Sequence, residues 1–156
     1  MTSVLNHAQQ VGEEIVARVQ TLTVAQGAET DIGGKVFRGV RNPDRTQMPC
    51  TVVVEGDDMP SRAHQHGFAY KIVQRYGLLA YLPCDVLNPN LAAHAAIRDL
   101  QRCIFQSVGR LRPDLGGTVK TVDYVGKDIA PRSQGEDFVV AAIEIEVVYA
   151  MDISNP

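Results

Sequence analysis

The chain has no tryptophan and only three cysteines, Cys50, Cys84 and Cys103. The number is odd and no two are near each other, so a CxxC zinc or redox motif is excluded and a disulfide framework is not expected. Free thiols acting as small buried hydrophobes fit a reducing compartment. No apolar run approaches the ~20 residues that span a bilayer. The opening residues, MTSVLNHAQQVGEE, carry neither the basic nor the apolar region of a signal peptide, and Thr2 removes the myristoylation pattern. Neither export nor membrane attachment is expected. A basic surplus is missing too: 15 Lys and Arg stand against 18 Asp and Glu, for a formal net charge of -3. That balance gives no support to a general nucleic-acid binder.

Several chemical signatures are also absent. There is no GxxxxGKS/T or GxGxxG phosphate loop, no GxSxG elbow and no HExxH pair. Gly33-Gly34 and Gly116-Gly117 precede expected strands rather than helices, so they read as turn glycines.

What is present is an ordinary globular composition, 45% hydrophobic and 21% charged over 156 residues. That length suits one domain spanning 1–156. A chain of this size buries roughly 68–70% of its unfolded surface and needs no structural metal. Residues 4–22 place Leu5, Ala8, Val11, Ile15, Val19 and Leu22 at spacings of three and four, which predicts an amphipathic helix weakened by Gly12. KVFRGV, 35–40, predicts a short strand, and the β-branched CTVVVEG, 50–56, a central one. RNPDRTQMP, 41–49, and DDMPSR, 57–62, read as loops. Residues 66–82 put Phe68, Tyr70, Ile72, Tyr76, Leu78 and Leu82 on one parity, and Lys71 and Arg75 on the other. This stretch is long for a single strand. It predicts either two strands meeting near Arg75-Tyr76-Gly77 or one bent by a bulge at Gly77.

A second helix is expected from Asn88 as N-cap and Pro89 at its first position. Its apolar face would be Ala92, Ala96, Leu100, Cys103, Ile104 and Val108, with Arg98, Asp99, Gln101 and Arg102 largely turned away. A closing hairpin is expected from 118–129 and 138–153. Its second strand puts Val139, Ala141, Ile143, Ile145, Val147 and Tyr149 on one face, and Glu144 and Glu146 on the other. The fold class is therefore α+β, with a mixed or mainly antiparallel sheet and two helices packed on one face.

His64 and His66 form a candidate metal pair. On a strand they would share a face about 6–7 Å apart, and two imidazoles can bind one zinc at roughly 2.0–2.1 Å. A zinc site needs a third ligand. Glu55, Asp57 and Asp58 are near in sequence, whereas His7, His94 and Cys84 would have to arrive through the fold. No third ligand is indicated by spacing, so the two histidines read more simply as polar residues where a loop meets a strand. There, protonation near pH 6–7 could tune assembly. The remaining candidates are charges that could pair within one subunit or between subunits. They are Arg38, Arg41, Arg45, Glu55, Asp57, Asp58 and Arg62 around the central strand, and Glu144 and Glu146 on the last.

Five stretches taken in order carry a likeness: EEIVARVQTL; KVFRGVRNPDRTQMPCTVVVEGDD; AAHAAIRDLQRCIF; LGGTVKTVDYVGKDI; and DFVVAAIEIEVVYAMD. Together they resemble the tail terminator proteins of long-tailed phages, also called tail completion or minor tail protein U-like proteins, over roughly residues 10 to 152. The resemblance implies one tail-terminator-like domain over 1–156 that forms a ring, usually hexameric. Such a ring caps the head-proximal end of the tail tube in the virion, after assembly in the host cytoplasm. It ends tube polymerisation and presents the head-connector surface. The implied partners are further copies of the chain, the tail-tube protein and a head-tail connector or neck protein. DNA passes through the lumen without sequence-specific binding, and no membrane, catalysis or cofactor is implied. Another neck component, or a small metal-dependent enzyme using His64 and His66, are the alternatives. Loops 41–49, 57–65 and 127–137 are the expected points of contact with tube or connector.

Overall fold

The computed structural model describes residues 7–39, 41–62, 67–106, 115 and 119–154. Helix α1 spans His7–Val19 and α2 spans Pro89–Phe105. Five strands form one sheet: β1 Val36–Arg38, β2 Cys50–Arg62, β3 Ala69–Pro83, β4 Thr121–Ile129 and β5 Phe138–Asp152. Their order is β1-β2-β3-β5-β4. Only β1 and β2 run parallel; every other neighbouring pair is antiparallel. This is the α+β class that the sequence predicts.

Alternation decides which way each strand faces. Ile72, Tyr76, Leu78, Ala80 and Leu82 of β3 share a core with Val139, Ala141, Ile143, Ile145, Val147 and Tyr149 of β5. Val11, Ile15 and Val19 of α1 and Ala93, Ala96, Ile97, Leu100 and Ile104 of α2 close over that face. Each fully buried aliphatic side chain contributes about 1.5–3 kcal/mol relative to exposure, so this one face carries most of the hydrophobic stabilisation.

Three expectations change. The stretch 57–62 is not a loop but the outer half of β2, with Asp58–Arg62 paired residue by residue with Tyr70–Gln74 of β3. Strand pairing across a hairpin outweighs the weak strand preference of Asp57, Asp58 and Pro60. Of the expected contact loop 127–137, residues 127–129 belong to β4, in keeping with the strand expected over 118–129. The bulge expected at Gly77 lies elsewhere: β3 is continuous, and its neighbours carry the irregularities. On β2, Gly56 and Asp57 lie between Glu55, opposite Tyr76, and Asp58, opposite Gln74. On β4, Val125 is the extra residue between Tyr124 and Gly126. The two bulges lie at the same level, on either side of the β3–β5 pairing, whose register is unbroken.

The third change is Asp99. It is buried, where the helix pattern turned it outward. Its carboxylate accepts hydrogen bonds from the backbone N–H of Glu29 (3.0 Å) and Thr30 (2.8 Å) and from the Thr30 hydroxyl (2.6 Å). It therefore fixes the segment between α1 and β1 onto α2, and these three donors replace lost water. Asn88 does precede α2, but its side chain makes no capping bond.

Two glycines allow close approach on the covered side. A Cβ on Gly33 would collide with the Val19 carbonyl and lie 2.7 Å from the Leu22 backbone nitrogen. Gly33 is thus the residue that lets the chain return across the end of α1, which is more than a turn requires. A Cβ on Gly12 would collide with the Arg38 guanidinium. The glycine that weakens α1 is what admits Arg38 against the helix.

Candidate assembly surface

The alternate residues of β3 and β5 face away from the helices. Arg75 sits at the centre of this open face. Its Nη1 donates to Glu144 at 3.3 Å and its Nε to Glu146 at 3.3 Å. Glu146 is directly opposite Arg75 and Glu144 lies on the diagonal, opposite Gly77. All three side chains keep part of their surface in solvent, so each pair is worth about 0–1 kcal/mol to the fold. Beside them a groove of about 370 Å³ runs across the sheet, floored by Val54, Gly77, Leu79 and Ala142. A Cβ on Gly126 would meet nothing within 4 Å, so the groove continues openly over the β4 bulge.

The sheet also has open edges among the described residues. β1 pairs only with Thr51–Val53 of β2, so the far side of β2 from Val54 to Arg62 has no neighbouring strand. The outer side of β4 has none either. Unpaired backbone groups invite pairing with another chain, and charge, proline and bulges restrain it. Both edges carry such restraints: Asp57, Asp58 and Pro60 on β2, and Asp123, Lys127 and the Val125 bulge on β4.

The charges expected at an interface are mostly engaged within the chain. Arg38 is paired with Glu55 and, at 3.6 Å, with Glu13 of α1. Arg38 therefore ties β1 to β2 through Glu55 and to α1 through Glu13. Arg41 stacks over Phe37, its guanidinium carbon 4.5 Å from the ring centre. Arg45 forms two contacts with Asp137, at 3.2 and 3.4 Å, joining the 41–49 loop to the start of β5. The hydrogen bond from Arg45 is the main reason the Asp137 carboxyl is held below its usual range. Arg62 lies over Tyr70 and donates to its hydroxyl at 3.3 Å. Asp58 is opposite Gln74, and Asp57 sits in the bulge. His64 and His66 lie outside the described residues. Among the described residues no group of three or more His, Cys, Asp or Glu is placed to hold a metal.

Sequence reasoning did not single out as site residues Arg75, Lys71 or Lys120, the last of which lines the open face beside Val73 and Val148. Arg75 and Lys71 did share a parity opposite the apolar one. Which residues of another strand they would meet depends on register, which no local pattern supplies. It also missed the polar end of the core. There the Tyr149 hydroxyl donates to the Gln74 side-chain Oε1 at 3.1 Å, while the buried Tyr76 hydroxyl has no hydrogen-bond partner among the described residues. Burial, with a smaller contribution from Glu55, pushes the Tyr76 hydroxyl far above its ordinary value. The cysteines follow the expectation of small packed side chains: Cys50 is buried, and Cys84 and Cys103 are partly so. Burial pushes the Cys103 thiol up to about 12.

No protein-family model matches the chain. No curated protein matches it either. Among solved structures it is similar to a chain from the virion of a native gene transfer agent particle. The TM-score is 0.52 at 13% identity, over 90% of this chain and 98% of that one. At this identity the likeness is one of fold, and it extends over nearly the whole of both chains.

Proposed function

We propose that this protein is a structural component of a phage-like virion. In the finer form of this reading it forms a ring at the head-proximal end of the tail tube, ends tube polymerisation and offers the head connector its docking surface. The observation that carries the coarser reading is the fold shared, nearly end to end, with a chain of a gene transfer agent virion. The finer reading rests on the likeness of the five ordered stretches to tail terminators. The open sheet face and the two open edges supply surface for contacts with further copies, tube and connector. On this reading the chain acts by assembly rather than catalysis.

Electron microscopy in negative stain tests it. Purified protein mixed with tail tubes of its own particle is expected to add a ring to one end of each tube. Protein that binds neither end, or that coats the tube wall, sinks the terminator reading. Density for the chain in the neck but off the tube end would favour another neck component.

A further inference from the structure

Two surface patches at opposite ends of β3 complement each other. The first follows the C-terminal end of the strand. Val86, Leu87 and Leu91 stand out there, Leu87 94% exposed and Leu91 69%. Leu91 lines a groove of about 530 Å³ whose charged lining residues are Glu29, Asp31 and Asp85; Glu29 is engaged by Arg98 at 2.9 Å, so Asp31 and Asp85 carry its acidic character. The second patch lies on the open face near the start of β3. It is a groove of about 660 Å³ floored by Val73, Val148 and Ala150 and walled by Lys71 and Lys120, with Arg62, whose guanidinium lies over Tyr70, at its edge. Asp123 and Glu146 also line it, but Glu146 is engaged by Arg75. Among the described residues Lys71 and Lys120 form no ion pair. The patches are separated by about 40 Å, at roughly 3.3 Å per residue from Lys71 to Pro83.

We infer that the acidic, leucine-tipped patch of one copy seats in the basic-walled groove of the next. An exposed apolar cluster marks an interaction surface. A partner that brings apolar floor and opposite charge together satisfies both features at once. Because the two patches differ and lie far apart, the contact is head-to-tail. Such a contact repeats from copy to copy and closes into a ring when its rotation allows. The inference rests on the reading above that the chain assembles with itself, and it names the surfaces that meet.

The test uses two substitutions at exposed positions, Leu87→Lys and Lys71→Glu, with solution mass read by light scattering. Leu87→Lys presents a cation to the basic groove, and Lys71→Glu presents an anion to the acidic patch. Each alone is expected to weaken self-association by roughly tenfold or more. Circular dichroism should report unchanged folding for both. Mixed in equal amounts they are expected to reassociate. The cation introduced at position 87 of one variant then meets the anion introduced at position 71 of the other, while the unaltered pair of surfaces also meets. Wild-type protein that stays monomeric, single variants that associate like wild type, or a mixture that stays dissociated each overturn the contact. Tube capping that persists while Leu87→Lys leaves the mass unchanged overturns this contact and leaves the tail-end role standing. Rings that respond to both variants yet ignore tail tubes do the reverse.

Discussion

The two faces of the sheet are built from the same strands and obey opposite rules. On the covered face, residues of β3 and β5 from Ile72 and Val139 onward are closed off by α1 and α2, and among the described residues the buried side-chain polar atoms there are hydrogen-bonded, the Tyr76 hydroxyl excepted. On the open face the intervening residues keep partial exposure, and Arg75, Glu144 and Glu146 form a network that solvent screens. The first face specifies the fold and tolerates little. The second adds little to stability, so it is free to serve contacts with other molecules.

Substitutions of equal chemical size should therefore separate the faces by their effect on stability. The largest effect is expected at Gly33→Ala, because the added methyl meets backbone of Val19 and Leu22 rather than a movable side chain. Chemical denaturation should register a loss of about 3 kcal/mol; a loss below about 1 kcal/mol would mean that the α1 end relaxes freely. Asp99→Ala comes next. It strands two backbone donors and the Thr30 hydroxyl, and the same measurement should register about 2 kcal/mol.

The two buried tyrosines sharpen the point because their expected signs differ. Tyr149→Phe removes a hydrogen bond to Gln74 and should cost about 1 kcal/mol. Tyr76→Phe removes a hydroxyl that has no partner among the described residues, so thermal melting should be unchanged or raised. A drop in melting temperature for Tyr76→Phe would reveal a partner for that hydroxyl. The smallest effect belongs to the open face: Glu144→Gln with Glu146→Gln should shift stability by no more than about 0.5 kcal/mol. A loss as large as that of Asp99→Ala would erase the contrast between the faces.

Much of this division was legible in the sequence, because strand alternation is a local pattern. The parity of Ile72, Tyr76 and Leu78, the parity of Val139 to Tyr149, and the outward turn of Glu144 and Glu146 all follow from it. What failed was nonlocal. Asp57, Asp58 and Pro60 look like loop residues until β3 pairs with them. Asp99 looks solvent-facing until the Glu29–Thr30 backbone is brought against it. Gly33 looks like a turn residue until α1 ends beside it. Of the candidate site, the charges themselves were visible but their partners were not: Arg45 reaches Asp137 across 92 positions of chain, and Arg75 meets Glu144 and Glu146 through register alone.

Tube polymerisation offers the sharpest test of the assembly role. The tail-tube protein of the same particle is allowed to elongate, and this chain is added at a small fraction of its concentration. Elongation should halt, with one ring at the growing end of each tube. Unchanged elongation, or inhibition that requires one chain per tube subunit, would rule out a capping role.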